Sequence, residues 1–175
     1  DPLKDLVHRI DPATGITVQT LSSITGPYGV GYTPTQAVDA NTATRTVITS
    51  PSTNSVHVMA ADGSDTIERT VTTGAEPHGV AGVSSDATGN YSFWVACLEA
   101  DRVEFWTYTN GVSLERVFYY TLDANSGPYN VAVDSDDNAW VTCLKSDKVA
   151  KCPAGGGGSV TYIDVDVDPW DIAID

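Results

Sequence analysis

GPYNVAVDSDDNAWVTCLKSDKV, residues 127–149, invites two readings. Asp134, Asp136 and Asn138 match positions one, three and five of an oxygen-ligand calcium loop. Position six is Ala139 where that loop needs glycine, and position twelve is Lys145 where it needs a bidentate glutamate. The other reading is a turn between two strands, because Asp and Asn make local hydrogen bonds and tolerate left-handed φ. The rest of the chain favours the turn.

The same phrase occurs four times. GPYGVGYTP at 26, EPHGVAGVSSD at 76, GPYNVAVDSD at 127 and DPWDIAID at 168 carry prolines at 27, 77, 128 and 169, spaced 50, 51 and 41 residues apart. A second phrase follows the first as TRTVITS at 44, SFWVACLEAD at 92 and AWVTCLKSD at 139. A third is NSVHVMAADG, DRVEFWTYTNG and DKVAKCPAGGG, with a relative near the start in DLVHRIDPATG. A fourth is ITVQTLSSI, DTIERTVTT, VSLERVFYYTL and SVTYIDVDV. Each phrase is a short β-branched or aromatic run bounded by Gly, Asp, Asn and Ser, so each unit is a four-stranded antiparallel meander.

Meanders repeating at this length are the blades of a β-propeller. With strands lettered A to D from the centre outward, the chain reads CD-ABCD-ABCD-ABCD-A. Its expected parts within one all-β domain are 1–25, 26–75, 76–126, 127–167 and 168–175. The N-terminus supplies outer strands and the C-terminus an inner one, and the composite blade lacks strand B. The expectation is a partial ring, or one completed by a second chain.

Composition points the same way. The 175 residues include 9 basic and 23 acidic side chains, a formal charge of −14 and a pI near 4.2. Such a surface repels phosphate backbones and anionic lipid, so nucleic acid is excluded as a partner. No run of 18 apolar residues is present, so no membrane-spanning helix is expected. A start at Asp1-Pro2 without Met is read as a processed or partial chain.

The blades PHGVAG…FWVACLEADRVEFW and GPYNVAVDSDDNAWVTCLKSDKVAK resemble those of virginiamycin B lyase-like and NHL or YVTN repeat propellers. The first full blade, 26–75, departs from them by lacking the strand B tryptophan. The resemblance implies six or seven blades in a complete ring. For the lyase branch it also implies a metal-assisted elimination that opens an ester-linked ring, using His and Glu with Mg²⁺ nearby. Glu76-Pro77-His78 is a Glu-x-His pair on the expected face. The second histidine such a site needs is missing, because His8 and His57 fall on C strands.

Tyr28, His78, Tyr129 and Trp170 follow the four prolines and should meet at one mouth of the central channel. The D-to-A and B-to-C loops of that face add Glu76, Glu99, Asp101, Lys145, Asp147 and Asp171. Aromatics with a few polar groups suit a small-molecule or glycan ligand; packing between blades would use the same aromatics. No catalytic or metal-ligating residue is assigned, and the cofactor expectation is none, with a divalent cation as the alternative.

Cys97 and Cys143 are repeat-equivalent strand B positions, which suggests buried packing. Cys143 and Cys152 lie on one hairpin, and a shift of its turn would bring them opposite each other, so a disulfide stays open beside free thiols. Asn90-Tyr91-Ser92 is a glycosylation sequon in the expected A-to-B loop. Asp164, Asp166 and Asp168 would share one face of the last D strand, as an edge guard or a weak cation site.

Three functions fit this pattern. The first is an extracellular or cell-surface module that binds or assembles without catalysis, with a protein, small-molecule or glycan ligand and a possible homo-oligomer. The others are a streptogramin lyase-like lyase and a carbohydrate-binding propeller using Tyr28, Tyr129 and Trp170.

Overall fold

The structure is a computed structural model that describes residues 6–10, 13–14, 17–32, 45–59, 66–85, 90–109 and 112–175. Strands β1 (Val7–Ile10) and β2 (Thr17–Leu21) pair as an antiparallel hairpin. Blade I consists of β3 (Val30–Tyr32), β4 (Thr46–Ser50), β5 (Ser55–Met59) and β6 (Ile67–Thr72). Blade II consists of β7 (Pro77–Ser85), β8 (Tyr91–Cys97), β9 (Arg102–Thr109) and β10 (Ser113–Thr121). Blade III consists of β11 (Pro128–Val133), β12 (Ala139–Cys143), β13 (Lys148–Cys152) and β14 (Thr161–Asp164). Within each blade every strand pairs antiparallel with its sequence neighbour. The architecture is therefore a partial β-propeller, with three four-stranded blades and an outer half-blade among the described residues.

Period-two side-chain alternation explains how the blades stack. In β8, Phe93, Val95 and Cys97 point to one side and join Val47, Val56 and Val58 of blade I in a buried cluster. Trp94 and Ala96 point to the other side and join Val131, Val141 and Ala150 of blade III. Both faces of blade II are thus core, and Trp94 is fully buried. Leu21 and Ile24, at the end of β2 and just beyond it, pack on Ile48 and Met59 of blade I, which seats the hairpin as the outer half of a preceding blade. The inner strand β7 lies against β3 on one side and β11 on the other.

A backbone latch recurs between blades. Each B-to-C turn ends in a left-handed residue, Asn54, Asp101 or Asp147. Asn and Asp tolerate that conformation better than other non-glycine residues. Their side-chain oxygens accept the N–H of the residue before the next blade's proline: Glu76 on Asn54 at 2.9 Å, Gly127 on Asp101 at 3.0 Å and Asp168 on Asp147 at 3.0 Å. Those three donor residues are left-handed too, with φ of 53°, 60° and 55°. The turn carbonyls of Asn54, Asp101 and Asp147 accept from Thr73, Leu122 and Val165.

Two expectations change, and one open choice closes. Residues 168–175, read as a fifth A strand, form no strand, because no neighbouring strand among the described residues offers them backbone partners. Asp164, Asp166 and Asp168 do not share a strand face, since β14 ends at Asp164 and Asp168 turns left-handed. Cys143 and Cys152 do not form a disulfide: Cys143 faces Lys148 and Cys152 faces Ala139. At about 3.3 Å per residue they are roughly 13 Å apart along the ladder, beyond bridging reach.

Candidate functional site

The four residues after the prolines do meet. The His78 ring lies 4.5 Å from Tyr28 and 4.9 Å from Tyr129, and Tyr129 lies 5.1 Å from Trp170, centroid to centroid. The Tyr28 and Tyr129 hydroxyls are hydrogen-bonded to each other, joining blades I and III across the mouth. Burial, then the bond to Tyr28, pushes the Tyr129 hydroxyl pKa up to about 12.

The convergence depends on the residue after each aromatic. A Cβ built on Gly29 would lie 2.1 Å from the His78 carbonyl oxygen, and one on Gly79 would lie 2.7 Å from Asn130 Cα. Glycine at both positions lets the inner strands approach backbone to backbone. In the last two phrases the position is polar, and Asn130 donates its amide to Asp171 at 2.5 Å. Strand B threonines complete the support. Thr49 accepts the Gly29 N–H at 2.8 Å and donates to the His78 carbonyl at 2.6 Å, while Thr142 accepts the Asn130 N–H at 2.9 Å. Asn130, Thr49 and Thr142 were not singled out from sequence, although the matching threonines of TVITS and WVTC mark the position.

Carboxylates surround the rings. Glu76 Oε2 lies 3.8 Å from His78 Nε2, and Lys145 Nζ contacts Glu99 at 2.5 Å. Burial lowers the His78 pKa from its ordinary 6.5, against the opposing pull of Glu76 and Glu99. The ring is therefore neutral at pH 7. Its Nδ1 is buried without a hydrogen-bond partner among the described residues.

The remaining candidates have structural occupations. Asp101 accepts from the backbone N–H groups of Asn125 and Gly127 and from the Ser126 hydroxyl. Burial disfavours its ionisation, but those bonds and Lys145 outweigh burial and lower its pKa. Asp147 latches Asp168. His57 is buried between Ser55 and Thr70 on β5, and His8 sits on β1 beside Thr20, both away from the mouth. Asn90 of the sequon is half-buried just before β8, and residues 86–89 of that loop lie outside the described residues.

The acidic run after β11 forms a turn. The Asp134 carboxylate accepts the backbone N–H of Asp136 and Asn138, the Asn138 amide and the Trp140 indole, the last at 2.8 Å. Lys151 Nζ lies 3.3 Å away. Burial opposes its ionisation, yet the donors hold its pKa well below the usual carboxylate range. Another carboxylate, fully buried, was not anticipated. Glu104, wholly inaccessible, accepts from Gly74 N–H, Arg102, Arg116 and the Trp106 indole. It ties the link into blade II to that blade's outer strands.

A divalent cation, as the lyase resemblance implies, finds no adequate donor set. Among the described residues no three His, Cys, Asp or Glu side chains gather as a metal site. Glu99 is held by Lys145, Asp101 by backbone and Asp171 by Asn130, which leaves Glu76 beside His78. Hard cations of this kind take six or more oxygens, or keep several waters on a preorganised carboxylate pair.

No protein-family model matches the chain, and no curated protein matches it. Solved structures do. Virginiamycin B lyase from Staphylococcus aureus superposes with a TM-score of 0.65 at 16% identity, over 93% of this chain and 50% of that one. Hydrazine synthase from Kuenenia stuttgartiensis gives 0.60 at 18% identity, over 91% and 40%. BBS1N, solved in complex with ARL6DN, gives 0.61 at 13% identity, over 91% and 54%. The chain spans about half the length of the structures it matches, and at these identities the shared feature is the propeller fold.

Proposed function

We propose that this chain is a binding module of β-propeller type, acting without catalysis at the cell surface or outside the cell, with its ligand held at the Tyr28–His78–Tyr129–Trp170 mouth. The observation that carries this reading is the gathering of four rings from four separate repeats onto one spot, held by inter-blade latches. A surface fixed in advance loses little entropy on binding. Tyr28 is 49% and Trp170 57% exposed, so two of the rings offer area to a ligand. The acidic, Thr-rich surface supports the extracellular assignment. A small molecule, a glycan or a protein segment are the ligand classes, with homo-oligomerisation as a further mode of assembly. The reading needs no cofactor.

A second reading is a streptogramin lyase-like lyase. It is favoured by one contact, the Glu76–His78 pair on the mouth, since a neutral histidine beside a carboxylate suits general-base work. The missing second histidine and the lack of a metal donor set weigh against it, because a fold does not carry an activity.

The two readings separate in one experiment. A panel of glycans, peptides and small molecules is titrated while tryptophan fluorescence is followed, and a streptogramin B is incubated with the protein and Mg²⁺. Saturable fluorescence change without ring opening supports the binding module. Ring opening that His78→Ala abolishes while the fold persists overturns it.

A further inference from the structure

The binding reading leaves the ligand's chemistry open, and the mouth narrows it. Tyr28 and Trp170 stand at 79° and 87° to Tyr129, edge-to-face contacts on either side of it that leave both outer rings about half exposed. The tyrosine hydroxyls satisfy each other. The exposed parts of Tyr28 and Trp170 offer π surface, whose faces carry negative charge density.

The charges around the rings are unbalanced. Lys145 on this face is already matched by Glu99 at 2.5 Å. Glu76 is half-exposed, and the His78 ring 3.8 Å from it is neutral at pH 7, so the carboxylate charge is not matched there. Asp171 is exposed and accepts from a neutral amide, which leaves its charge uncompensated. Asp168, exposed just before the last proline, carries a further negative charge. The chain as a whole carries a formal −14. A neutral sugar would gain nothing from this excess, and a bare metal ion lacks its donors among the described residues. An organic cation gains from both features, since a cation within about 6 Å of an aromatic centroid is attracted by the ring quadrupole.

We propose that the mouth formed by Tyr28, His78, Tyr129 and Trp170, rimmed by Glu76 and Asp171, binds a substituted ammonium group of the quaternary or methylated-amine type. The proposal rests on the binding reading above and names its ligand class. The ring faces contact the alkyl groups around nitrogen, and the carboxylates supply the long-range attraction.

The test is calorimetric titration of the protein, at low ionic strength and up to millimolar ligand. One ligand is choline. The other is its uncharged carbon analogue, in which a tert-butyl group replaces the trimethylammonium group. Choline is expected to bind roughly tenfold tighter than the analogue, and to weaken as salt is added. Trp170→Leu, at an exposed position, is expected to abolish most choline binding with an unchanged circular dichroism spectrum. Glu76→Gln is expected to weaken choline several-fold and leave the analogue unaffected. Equal affinity for the two ligands overturns the ammonium assignment and leaves an apolar binding mouth. Binding of methyl glycosides without choline also overturns the assignment and keeps the binding reading. No binding of any of these ligands overturns the ammonium assignment, and the binding reading falls only if the panel of glycans, peptides and small molecules fails as well.

Discussion

Asp147 Oδ1 accepts the backbone N–H of Asp168 at 3.0 Å, and through that bond blade III fixes the segment carrying Trp170. The same bond is made by Asn54 to Glu76, where an amide oxygen replaces the carboxylate. Asp147→Asn should therefore keep the latch. Asp147→Ala removes the acceptor and puts alanine at a φ of 55°, and it is expected to cost about 1 to 2 kcal/mol locally. Acrylamide quenching of tryptophan fluorescence checks this: quenching should rise in the alanine variant and match wild type in the asparagine variant.

Gly79 sets the spacing of the inner strands. Gly79→Ala places a methyl 2.7 Å from Asn130 Cα, where backbone must move to admit it. A loss of about 1 to 3 kcal/mol is expected, the usual range for overpacking. Urea unfolding measures the loss. Because the displaced strand carries Tyr129, ligand binding at the mouth should weaken as well.

Much of this architecture was legible in the repeat. Proline spacing and turn residues marked the blades, and the shared position after each proline marked the ring cluster, because period and alternation are local properties of the chain. The last phrase was misread as a strand for a related reason: DPWDIAID has the right residues, but a strand exists only beside a partner. The acidic residues of the mouth were legible as a group and not by role. Asp101 and Glu99 are near neighbours in sequence, yet one caps backbone of the next blade and the other pairs with Lys145. Glu104 escaped notice because its partners, Gly74, Arg102, Trp106 and Arg116, come together only once two blades are packed.

Acid should weaken the fold in two stages. Burial lowers the pKa of His57 and His78 below 6.5, so below that pH the unfolded chain binds more protons than the folded one. Stability from these groups is complete above pH 6.5 and falls as pH drops through their lowered values. Asp101 and Asp134 have pKa values lowered from 3.8, so their contribution is lost below that pH. Urea midpoints across pH should show both stages. Replacing both histidines by glutamine should flatten the first and leave the second.

The three thiols should be inert in the folded protein. Cys97, Cys143 and Cys152 are buried, and burial pushes the thiol of Cys143 up to about 11 and that of Cys152 up to about 12. Since the thiolate is the reactive form, an aromatic disulfide reagent should titrate none of them natively and all three in denaturant. Fewer than three thiols in denaturant without reductant would reveal oxidised cysteine, and a Cys143–Cys152 bridge found by peptide mapping would contradict the register of β12 and β13.

Ligand binding at the mouth is tested most directly by following the four tryptophan indole N–H signals in nitrogen-edited NMR while candidate ligands are added. Trp170 is exposed at the mouth, Trp94 and Trp106 are buried between blades, and Trp140 is held by Asp134. A saturable shift of the Trp170 signal, with Trp94 and Trp106 unmoved, is the expected result. A ligand that saturates while Trp170 stays still and another indole moves would contradict it.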